Sequence, residues 1–531
     1  ASADITFLLG AARSQEEART LIHRFGRPGA ASEALRSVRD FWDDTLGALT
    51  VETPNRAANL MLNRWLLTQV LSCRLWGRSG FYQSGGAYGF RDQLQDVLAL
   101  LYSQPALARE HLLRSAARQF VEGDVQHWWH SETGAGVRTR ISDDLLWLPY
   151  ATARYVEVTG DASVLDETAP FLEGRLLDRS EHDAYFVPTV SPETATLWEH
   201  CRRAIEKGAT AGAHGLPLIG GGDWNDGLDR VGANGQGESV WLAWFLVQVF
   251  HDFAAMTAPR DPAAAEALRK RAKELAAKIE KEAWDGEWYR RAYFDDGTPL
   301  GSKTSPEAQI DSLPQSWAAI TGAGSKERAR QAMRSVSERL VRKDDRIVLL
   351  FTPPFDESDL QPGYIKGYPP GVRENGGQYT HGSLWTAMAW ARLGDGAEAV
   401  ELLDIMNPVR HASNPDLYLV EPYAVAADIY ALPGRVGMGG WTWYTGSASW
   451  LYRIWIEEVL GFKLRGNRLT LEPVMPPDWP KIAIRYRYRQ TNYLIEILSS
   501  PQGEQGLAVD GSPRRGKSID LVDDGVDHIV R

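Results

Sequence analysis

Apolar residues recur with a helical period from about residue 15 to about residue 460 of the chain. One stripe at spacings of three and four residues consists of Ala58, Met61, Leu62, Trp65 and Leu66. Thr53-Pro54 before this stripe and Asp261-Pro262 before another have the form of an N-cap followed by a first-turn proline. The helix after Pro262 is predicted to bury four positions, Leu268, Ala272, Leu275 and Ile279. This pattern predicts a mainly helical chain.

Glycine turns separate several of these helices. Gly160, Gly322 and Gly394 each follow an aromatic-rich helix and precede a new segment, which is typical of hairpins closed by a left-handed glycine. Loops dense in Gly, Trp, Asp, Asn and His lie between hairpins, and function concentrates in such loops. They cover residues 76–91, 122–143, 211–237, 361–381 and 434–447. Their uneven spacing favours a closed α/α barrel over an open helical solenoid, which would show a cleaner repeat.

The period changes to two after about residue 462. Apolar and aromatic side chains at 482, 484, 486 and 488 alternate there with alanine and arginine, and residues 467–474 and 493–498 also have the character of strands. Asp510-Gly511 and Asp524-Gly525 are typical of hairpin turns. We therefore predict a helical barrel over 51–462 followed by a small antiparallel β domain over 463–531.

Composition narrows the possible partners. The 531 residues carry 58 basic and 69 acidic side chains, a net charge of −11, without long runs of one sign, which argues against nucleic acid and a polybasic membrane patch. The two cysteines, Cys73 and Cys201, exclude a disulfide framework and fit a reducing compartment such as the cytoplasm. No apolar run reaches the roughly 20 residues of a membrane span. The first ten residues lack Met and a basic leader, which is compatible with a piece of a longer protein.

The chain has 20 tryptophans beside an ordinary hydrophobic fraction of 44%. We interpret the excess as rings that line a cleft as well as fill a core. Trp128, Trp129, Trp224 and Trp443 lie in the long loops, and aromatic-lined clefts suit sugars.

The loop from Gly220 to Gly227 contains two carboxylates, Asp223 and Asp226, and the indole of Trp224. A polar turn held by Asx-type hydrogen bonds is the ordinary interpretation. An EF-hand calcium loop that begins at Asp223 is excluded, because its twelfth residue is Asn234, whereas the pattern requires Glu there. The functional interpretation is glycosidic-bond cleavage, in which a carboxylic acid protonates the leaving oxygen beside an indole that raises its pKa.

Other loops suit sugar hydroxyls and an anion. Arg91 and Asp96 can grip vicinal hydroxyls, although a structural ion pair is an equal alternative. Thr445 and Gly446 precede an apolar helix whose first N–H groups can bind an anion, with simple N-capping as the alternative. His381 lies at the start of another helix and is equally explained as a core histidine. The helix start at Thr445-Gly446, His381 and Arg78 taken together nevertheless favour a phosphate site. His127 and His130 lack a carboxylate at metalloprotease spacing, so we predict no metal and interpret residues 126–130 as a wall of the sugar cleft.

At these motifs the sequence resembles glycoside hydrolase family 94, the inverting β-glucoside phosphorylases, and in particular the phosphorylase-like C-terminal region of cyclic β-1,2-glucan synthases. The resemblance rests on six ordered motifs: YGFRDQLQD at 88–96, GDVQHWWH at 123–130, GDWNDG at 222–227, ENGGQY at 374–379, VEPY at 420–423 and WYTGSA at 443–448. It implies an (α/α)6 barrel, a small C-terminal β domain and an N-terminal β-sandwich. This chain would retain of that sandwich only a strand remnant and linker helices in residues 1–50.

Residue by residue, the resemblance implies a role for nine positions. Asp226 matches the general acid. Arg91, Asp96, Trp224 and Glu374 match substrate-binding positions, and Arg78, His381, Thr445 and Gly446 match phosphate contacts. Leu228-Asp229 stands where a Met-Asn pair is more usual, which leaves fine specificity open.

The mechanism that follows is inverting phosphorolysis without a cofactor. Inorganic phosphate is already an anionic nucleophile, so one acid is enough, whereas an inverting hydrolase needs a second carboxylate as base for water. The anion loops hold Arg, His, Thr and N–H groups rather than acids, which favours phosphate. The expected substrates are phosphate and β-linked gluco-oligosaccharides, among which β-1,2-linked chains are the first choice. A larger synthase chain or a second copy of this chain is the expected protein partner. The alternatives are a cellobiose-type phosphorylase, a phosphate-independent hydrolase and a non-catalytic glucan-binding module of a membrane-anchored synthase.

Overall fold

A computed structural model describes residues 5–79, 85–178, 181–500 and 506–531. Residues 80–84, which belong to the predicted functional loop 76–91, lie outside the described residues. The N-terminal part begins with two helices, Gln15–Phe25 and Ala30–Gly47.

Six helices form a ring in which each contacts the next in sequence and the last contacts the first. They are Phe90–Asp96, Trp147–Thr159, Val240–Thr257, Ser312–Thr321, Thr380–Arg392 and Ser447–Arg453. The first continues as the 3₁₀ segment Val97–Leu100 and the last as the π-helical segment Ile454–Val459. Among the described residues, Val240–Thr257 is the one helix with the length and composition of a membrane span, and 72% of it is buried inside the protein. It is therefore a core helix of this ring.

A second set of helices packs against the ring. The first of the set runs without a break from Arg56 to Trp76 through alternating α- and π-helical segments. The others are Pro105–Ala116, Leu197–Gly208, Pro262–Glu282, Lys326–Arg339 and Gly396–Ile405. In Pro262–Glu282 the predicted positions Leu268, Ala272, Leu275 and Ile279 are all buried, which confirms the amphipathic interpretation.

Most helix boundaries follow from local chemistry. The side chain of Asp261 accepts a hydrogen bond from the N–H of Ala264, as predicted. Gly160, Gly322 and Gly394 have φ of 73°, 59° and 85°, which confirms the left-handed turns. The predicted cap at Thr53 is wrong: Asn55 caps the helix by accepting from Ala58 N–H at 3.1 Å.

Indoles close the centre of the helical ring. Phe245 lies 4.4 Å from Trp147 and 5.2 Å from Trp317, and Trp385 lies 5.2 Å from Trp317 and 5.5 Å from Trp450, all between ring centroids. Trp147 and Trp450 complete the circuit at 6.5 Å. These five residues, the central aromatic ring, come from five different helices, so they fix how those helices pack.

The C-terminal region contains two sheets that share one core with the helices. The six-stranded sheet has the order Leu49–Glu52, Lys481–Tyr488, Thr491–Leu498, His528–Val530, Leu507–Val509 and Ser512–Arg514. The three-stranded sheet has the order Phe462–Arg465, Arg468–Leu471 and Ser518–Asp520. Phe462 contacts Tyr486 between the sheets at 5.0 Å.

Two features of these sheets differ from the prediction. Thr491–Leu498 and His528–Val530 pair in parallel, because the chain first forms a hairpin and a strand of the other sheet before it returns. Leu49–Glu52 joins the C-terminal sheet by pairing with Lys481–Tyr488. The start of the helical region is thus bound to the β domain.

Short strands in the loops pair beside the end of the helical ring. One sheet has the order Ala87–Gly89, Gln126–His130, Gly136–Thr139 and Asp183–Phe186, and another pairs Thr168–Glu173 with Thr189–Thr196. A third has the order Pro299–Leu300, Ala292–Tyr293 and Glu238–Ser239. Two-residue pairs join Ile310–Asp311 to Phe351–Thr352, Val341–Arg342 to Ile347–Val348, and Gln378–Tyr379 to Asp428–Ile429. These pairings hold the loops that carry the predicted motifs.

We expect Trp317→Ala to lower the free energy of unfolding by about 3–5 kcal/mol, because it empties a site in the central aromatic ring that is 1% exposed. Trp76→Ala is the matched control: Trp76 is 48% exposed, and its loss should cost clearly less. Differential scanning calorimetry checks both. Equal shifts of Tm would show that the central ring does not determine the stability of the helical region.

Candidate active site

A cavity of about 410 Å³ opens among the loops at one end of the helical ring. Its wall includes seven of the nine predicted site residues, namely Arg91, Trp224, Asp226, Glu374, His381, Thr445 and Gly446. Asp96 and Arg78 do not line it. Residues more than 350 positions apart in sequence therefore meet at one site.

Asp226 lies between two cationic side chains. Its Oδ1 accepts from Arg91 Nη2 at 2.5 Å, and its Oδ2 lies 3.5 Å from His127 Nε2. Burial raises the pKa of Asp226, but Arg91 and His127 outweigh that effect and hold it well below its usual value. Burial lowers the pKa of His127, yet Asp144 at 2.7 Å and Asp226 raise it well above normal. In the sugar-free site Asp226 is thus ionised and His127 is charged.

Arg91 is fixed by more than its contact with Asp226. Its Nη1 donates to Asp143 Oδ1 at 2.6 Å and to the backbone oxygen of Asp223 at 3.0 Å. Asp143 in turn accepts from the indole of Trp147 at 2.9 Å. Arg91 Nη1 is therefore linked through Asp143 to Trp147 of the central aromatic ring. Arg91 Nη2 donates to Asp226 on the cavity wall.

Asp223, the other carboxylate of the glycine-rich loop, is structural. It is fully buried, and both of its oxygens accept from Arg291 at 2.6 Å. Ser239 and the N–H of Asn225 also donate to it. The loop thus uses Asp223 to fix its shape and places Asp226 in the cavity.

The wall at residues 445–446 combines a helix start with a histidine. The helix Ser447–Arg453 has Gly446 as its N-cap, without a side-chain cap, so the prediction that Thr445 is the N-cap is wrong. Thr445, one residue earlier, accepts at its Oγ1 from the Ser447 N–H at 3.1 Å. His381 lies beside Gly446, such that a Cβ on Gly446 would stand 3.1 Å from His381 Nδ1. Only glycine leaves the space between them free.

Carboxylates also approach this wall, which corrects the expectation that the anion loops lack acids. Asp92 lines the cavity, and Asp96 lies fully buried behind Gly446. Arg74 pairs with both, at 3.2 Å to Asp92 and 2.7 Å to Asp96. Burial raises the pKa of Asp96 to about 6, against the effect of Arg74. The wall therefore contains two carboxylates that share one arginine, and it is not purely basic.

Arg78 points away from the cavity in this structure. Its Nε donates to the backbone oxygen of Gly86 at 2.8 Å, and its guanidinium stacks on Tyr88 at 4.5 Å. It adjoins residues 80–84, which lie outside the described residues. Arg74, four residues earlier, does line the cavity, and its guanidinium stacks on the ring of Tyr444 at 4.1 Å.

Glu374 lines the cavity next to Arg373, whose guanidinium stacks on aromatic rings. Burial raises the pKa of Glu374, although Arg373 Nε lies 3.3 Å from its Oε2 and opposes this. That oxygen makes no hydrogen bond within the described part of the chain. The Arg373 guanidinium lies between Trp441 at 4.3 Å and Tyr368 at 5.0 Å. These flat groups form a second wall suited to a sugar ring.

The tryptophan interpretation holds for two of the four named rings. Trp128 and Trp224 line the cavity. Trp129 is fully buried and stacks on Tyr88, and Trp443 donates from its indole to Glu421 outside the cavity lining. Most of the largest buried side chains are tryptophans, so the excess mainly fills the core.

Sequence reasoning missed several site residues. Arg74, Asp143 and Asp144 were not singled out, and His127 was assigned only to the cleft wall. Arg74 is a charged residue in the apolar helical segment Val70–Trp76, which is a usable signal for a buried ionic role. Asp143 and Asp144 stand just before the buried helix Trp147–Thr159, where an ordinary N-terminal charge is the simpler interpretation.

Comparison with known proteins identifies the family of the chain. Residues 41–461 match the family described as the glycosyl hydrolase 94 superfamily, catalytic domain. The chain is 48% identical to the cyclic beta-(1,2)-glucan synthase NdvB of Rhizobium meliloti (strain 1021) over 96% of this chain and 18% of that protein. It is 31% identical to the solabiose phosphorylase of Paenibacillus borealis over 98% of this chain and 65% of that protein.

The chain belongs to the glycosyl hydrolase 94 superfamily and contains its catalytic domain. It spans less than two thirds of the length of either relative. Among solved structures, a GH78 family rhamnosidase of Bacillus sp. GL1 superposes with a TM-score of 0.55 at 14% identity, over 85% of this chain and 41% of that one. That similarity supports a shared fold.

The two carboxylates of the glycine-rich loop should respond differently to removal of their charge. Asp223→Asn leaves the buried Arg291 with one carboxylate partner, Asp311, and should lower the free energy of unfolding by about 3–5 kcal/mol. Asp226→Asn should change it by about 1 kcal/mol or less, because Asp226 is 31% exposed and Arg91 keeps Asp143. Thermal unfolding of the two variants measures this difference, and equal destabilisation would contradict the structural assignment of Asp223.

Proposed function

We propose that this chain catalyses inverting phosphorolysis of β-linked gluco-oligosaccharides, with β-1,2 linkages preferred, to α-D-glucose 1-phosphate and a shortened glucan. The observation that carries the proposal is the placement of Asp226 in one cavity with His381, Thr445 and Gly446. An acid and an anion-binding helix start then flank the same sugar position. Membership of the glycosyl hydrolase 94 superfamily and the similarity to a phosphorylase support this choice.

The fold proposed for this activity is an (α/α)6 barrel. The closed ring of six helices and the second set packed against it support that architecture. The loops that follow the helices then form the cavity at one end of the barrel.

Asp226 is proposed as the general acid, which requires it to gain a proton. The contact with Arg91 keeps it ionised in the sugar-free site. A sugar hydroxyl that takes over Arg91 Nη2 would remove this cation from Asp226, and the sugar would exclude water. Both effects raise the pKa of Asp226, so that the protonated form is stabilised only when substrate is bound.

The displacement itself needs no second protein acid or base. Phosphate attacks the anomeric carbon from the side of Thr445 and Gly446, and the glycosidic C–O bond breaks as Asp226 donates its proton to the leaving oxygen. Arg91, Trp224 and Glu374 are proposed to hold the donor sugar. Asp96 is proposed to act from behind Gly446 by fixing Arg74.

The phosphate contacts are proposed to be His381, Thr445 and Gly446, together with an arginine. Arg74 already lines the cavity, whereas Arg78 would have to leave the backbone oxygen of Gly86. Arg78 stays a prediction.

The β-1,2 linkage is supported by the 48% identity to a relative named as a cyclic beta-(1,2)-glucan synthase. That similarity also supports a role as the phosphorylase-like part of a larger synthase chain. We propose the cytoplasm as its location, either as a free enzyme or as part of a membrane-anchored larger protein. A cellobiose-type substrate is the alternative within the same reaction class. A non-catalytic glucan-binding module is the alternative outside that class. A homodimer is a proposed assembly for either function.

A phosphate-independent inverting hydrolase is the second candidate function. Asp92 lines the same cavity, with a side chain that is 44% exposed, and is chemically able to act as base for water. Its ion pair with Arg74 argues against that role, because Asp92 Oδ1 already accepts from Arg74 Nη2 at 3.2 Å.

The test of the function is incubation with a panel of β-linked glucose disaccharides and oligosaccharides, with and without phosphate. We expect glucose 1-phosphate only when phosphate is present, and faster from β-1,2-linked chains than from β-1,4-linked ones. Release of free glucose at the same rate without phosphate would instead establish the hydrolase.

Asp226→Asn should lower kcat roughly 10²–10⁴-fold, because the leaving oxygen loses its proton donor. Phosphate binding, measured by isothermal titration calorimetry, should change less than about threefold. Asp92→Asn is the matched control and should retain far more activity. Turnover close to wild type in Asp226→Asn would show that Asp226 is not the general acid.

A further inference from the structure

The side-chain amide of Gln95 has a fixed orientation below the cavity. Its Oε1 accepts from the indole Nε1 of Trp450 at 2.9 Å, and its Nε2 donates to the backbone oxygen of Arg91 at 3.0 Å. An indole N–H can only donate and a backbone carbonyl can only accept. The two contacts therefore determine which end of the amide is the oxygen.

This orientation determines the tautomer of His381. His381 Nε2 lies 2.9 Å from the same Gln95 Oε1, so Nε2 must carry a hydrogen and donate it. The ring is buried, with Trp224 at 5.2 Å and Trp385 at 5.1 Å. Burial lowers the pKa of His381 to about 3; Arg74 and Arg91 lower it further, and Asp92 opposes them. At neutral pH the imidazole is uncharged and Nδ1 carries a lone pair.

That lone pair faces the proposed phosphate position. Nδ1 lies beside Gly446 at the start of the helix Ser447–Arg453, and it has no hydrogen-bond partner among the residues that the structure describes. Asp96 Oδ1, a further acceptor, lies behind the same glycine. An anion beside Gly446 therefore meets two hydrogen-bond acceptors, His381 Nδ1 and Asp96 Oδ1.

We propose that Gln95 is a positioning residue that fixes His381 as a hydrogen-bond acceptor, so that the site selects a protonated anion, hydrogen phosphate, over a fully deprotonated one such as sulfate. This inference rests on the proposed function. The P–O–H group donates to His381 Nδ1 while another phosphate oxygen forms the bond to the anomeric carbon. The glycosidic C–O bond breaks, and the leaving oxygen takes the proton of Asp226. The product leaves as the monoprotonated phosphate ester and gives its proton to solvent, from which Asp226 is reprotonated.

The tautomer is measured directly in the wild-type protein by long-range ¹H–¹⁵N NMR with ¹⁵N-labelled histidine, with His381→Gln used to assign the signal. We expect a neutral ring protonated on Nε2 at pH 7.5, with a shift of the Nδ1 resonance on addition of phosphate. A ring protonated on Nδ1, or a charged ring, would overturn the inference.

Anion selectivity is the second measurement. Sulfate and arsenate are compared as competitors of phosphate at pH 7.5, where arsenate carries a proton and sulfate does not. Arsenate should bind within about threefold of phosphate, and sulfate roughly 10 to 100-fold more weakly, since a lone pair then faces a lone pair. Sulfate binding as tight as phosphate would contradict the inference.

Gln95→Glu is the variant that reverses the selection. A carboxylate at this position accepts from both Trp450 and His381 and favours a charged His381 whose Nδ1 donates. The disadvantage of sulfate should then fall to within about threefold of phosphate, and unchanged selectivity would count against Gln95. If the variant does not fold, the NMR and selectivity measurements on the wild type still decide the matter.

Failure of the inference and of the proposed function are distinguishable. Phosphate-dependent turnover with the wrong tautomer removes the inference alone. Absence of both glucose 1-phosphate formation and any phosphate-induced shift of His381 removes the proposed function, and the inference with it.

Discussion

The closed packing of indoles at the centre of the helical ring is the constraint on which the site depends. Trp147, Trp317, Trp385, Trp450 and Phe245 contact one another across five helices. Two of these indoles also donate hydrogen bonds toward the cavity: Trp147 to Asp143, which holds Arg91, and Trp450 to Gln95, which holds His381. The hydrophobic core thus sets the positions of Arg91, beside the proposed acid Asp226, and of His381, beside the proposed anion site.

Ion pairing is the second feature that unites the site. Arg91 and His127 hold Asp226 ionised, and Arg74 pairs with both Asp92 and Asp96 beside the helix start. Each of these cations therefore has a carboxylate partner within the protein. Under the proposed function, sugar and phosphate exchange these ion pairs for new contacts. We then expect the pKa of Asp226 to rise when the sugar takes over the contact with Arg91.

Sequence reasoning predicted the elements that depend on local chemistry and failed where distant contacts decide. The helix after Asp261-Pro262 and the left-handed glycines at 160, 322 and 394 follow from capping and periodicity alone. Asn55 replaced Thr53 as a cap, because both residues are good caps and the choice depends on the backbone path. The parallel pairing of His528–Val530 depends on a long return that no local pattern specifies.

The motifs likewise gave most of the cavity wall but not its electrostatics. Arg91, Trp224, Asp226, Glu374, His381, Thr445 and Gly446 line one cavity, as a shared site requires. The partners that set their charge states, Arg74, His127 and Asp143, lie beside them through contacts that only the folded chain reveals. Arg78 and Arg74 are one helical turn apart, so sequence spacing alone could not decide which of them reaches the cavity.

The central claim is a single displacement by phosphate opposite Asp226, and the anomeric configuration of the first product tests it most directly. ¹H NMR of a reaction with a β-1,2-linked gluco-oligosaccharide and phosphate, recorded before equilibrium, should show the α-anomer of glucose 1-phosphate as the initial product. Formation of the β-anomer, or of free glucose independent of phosphate, would contradict the account.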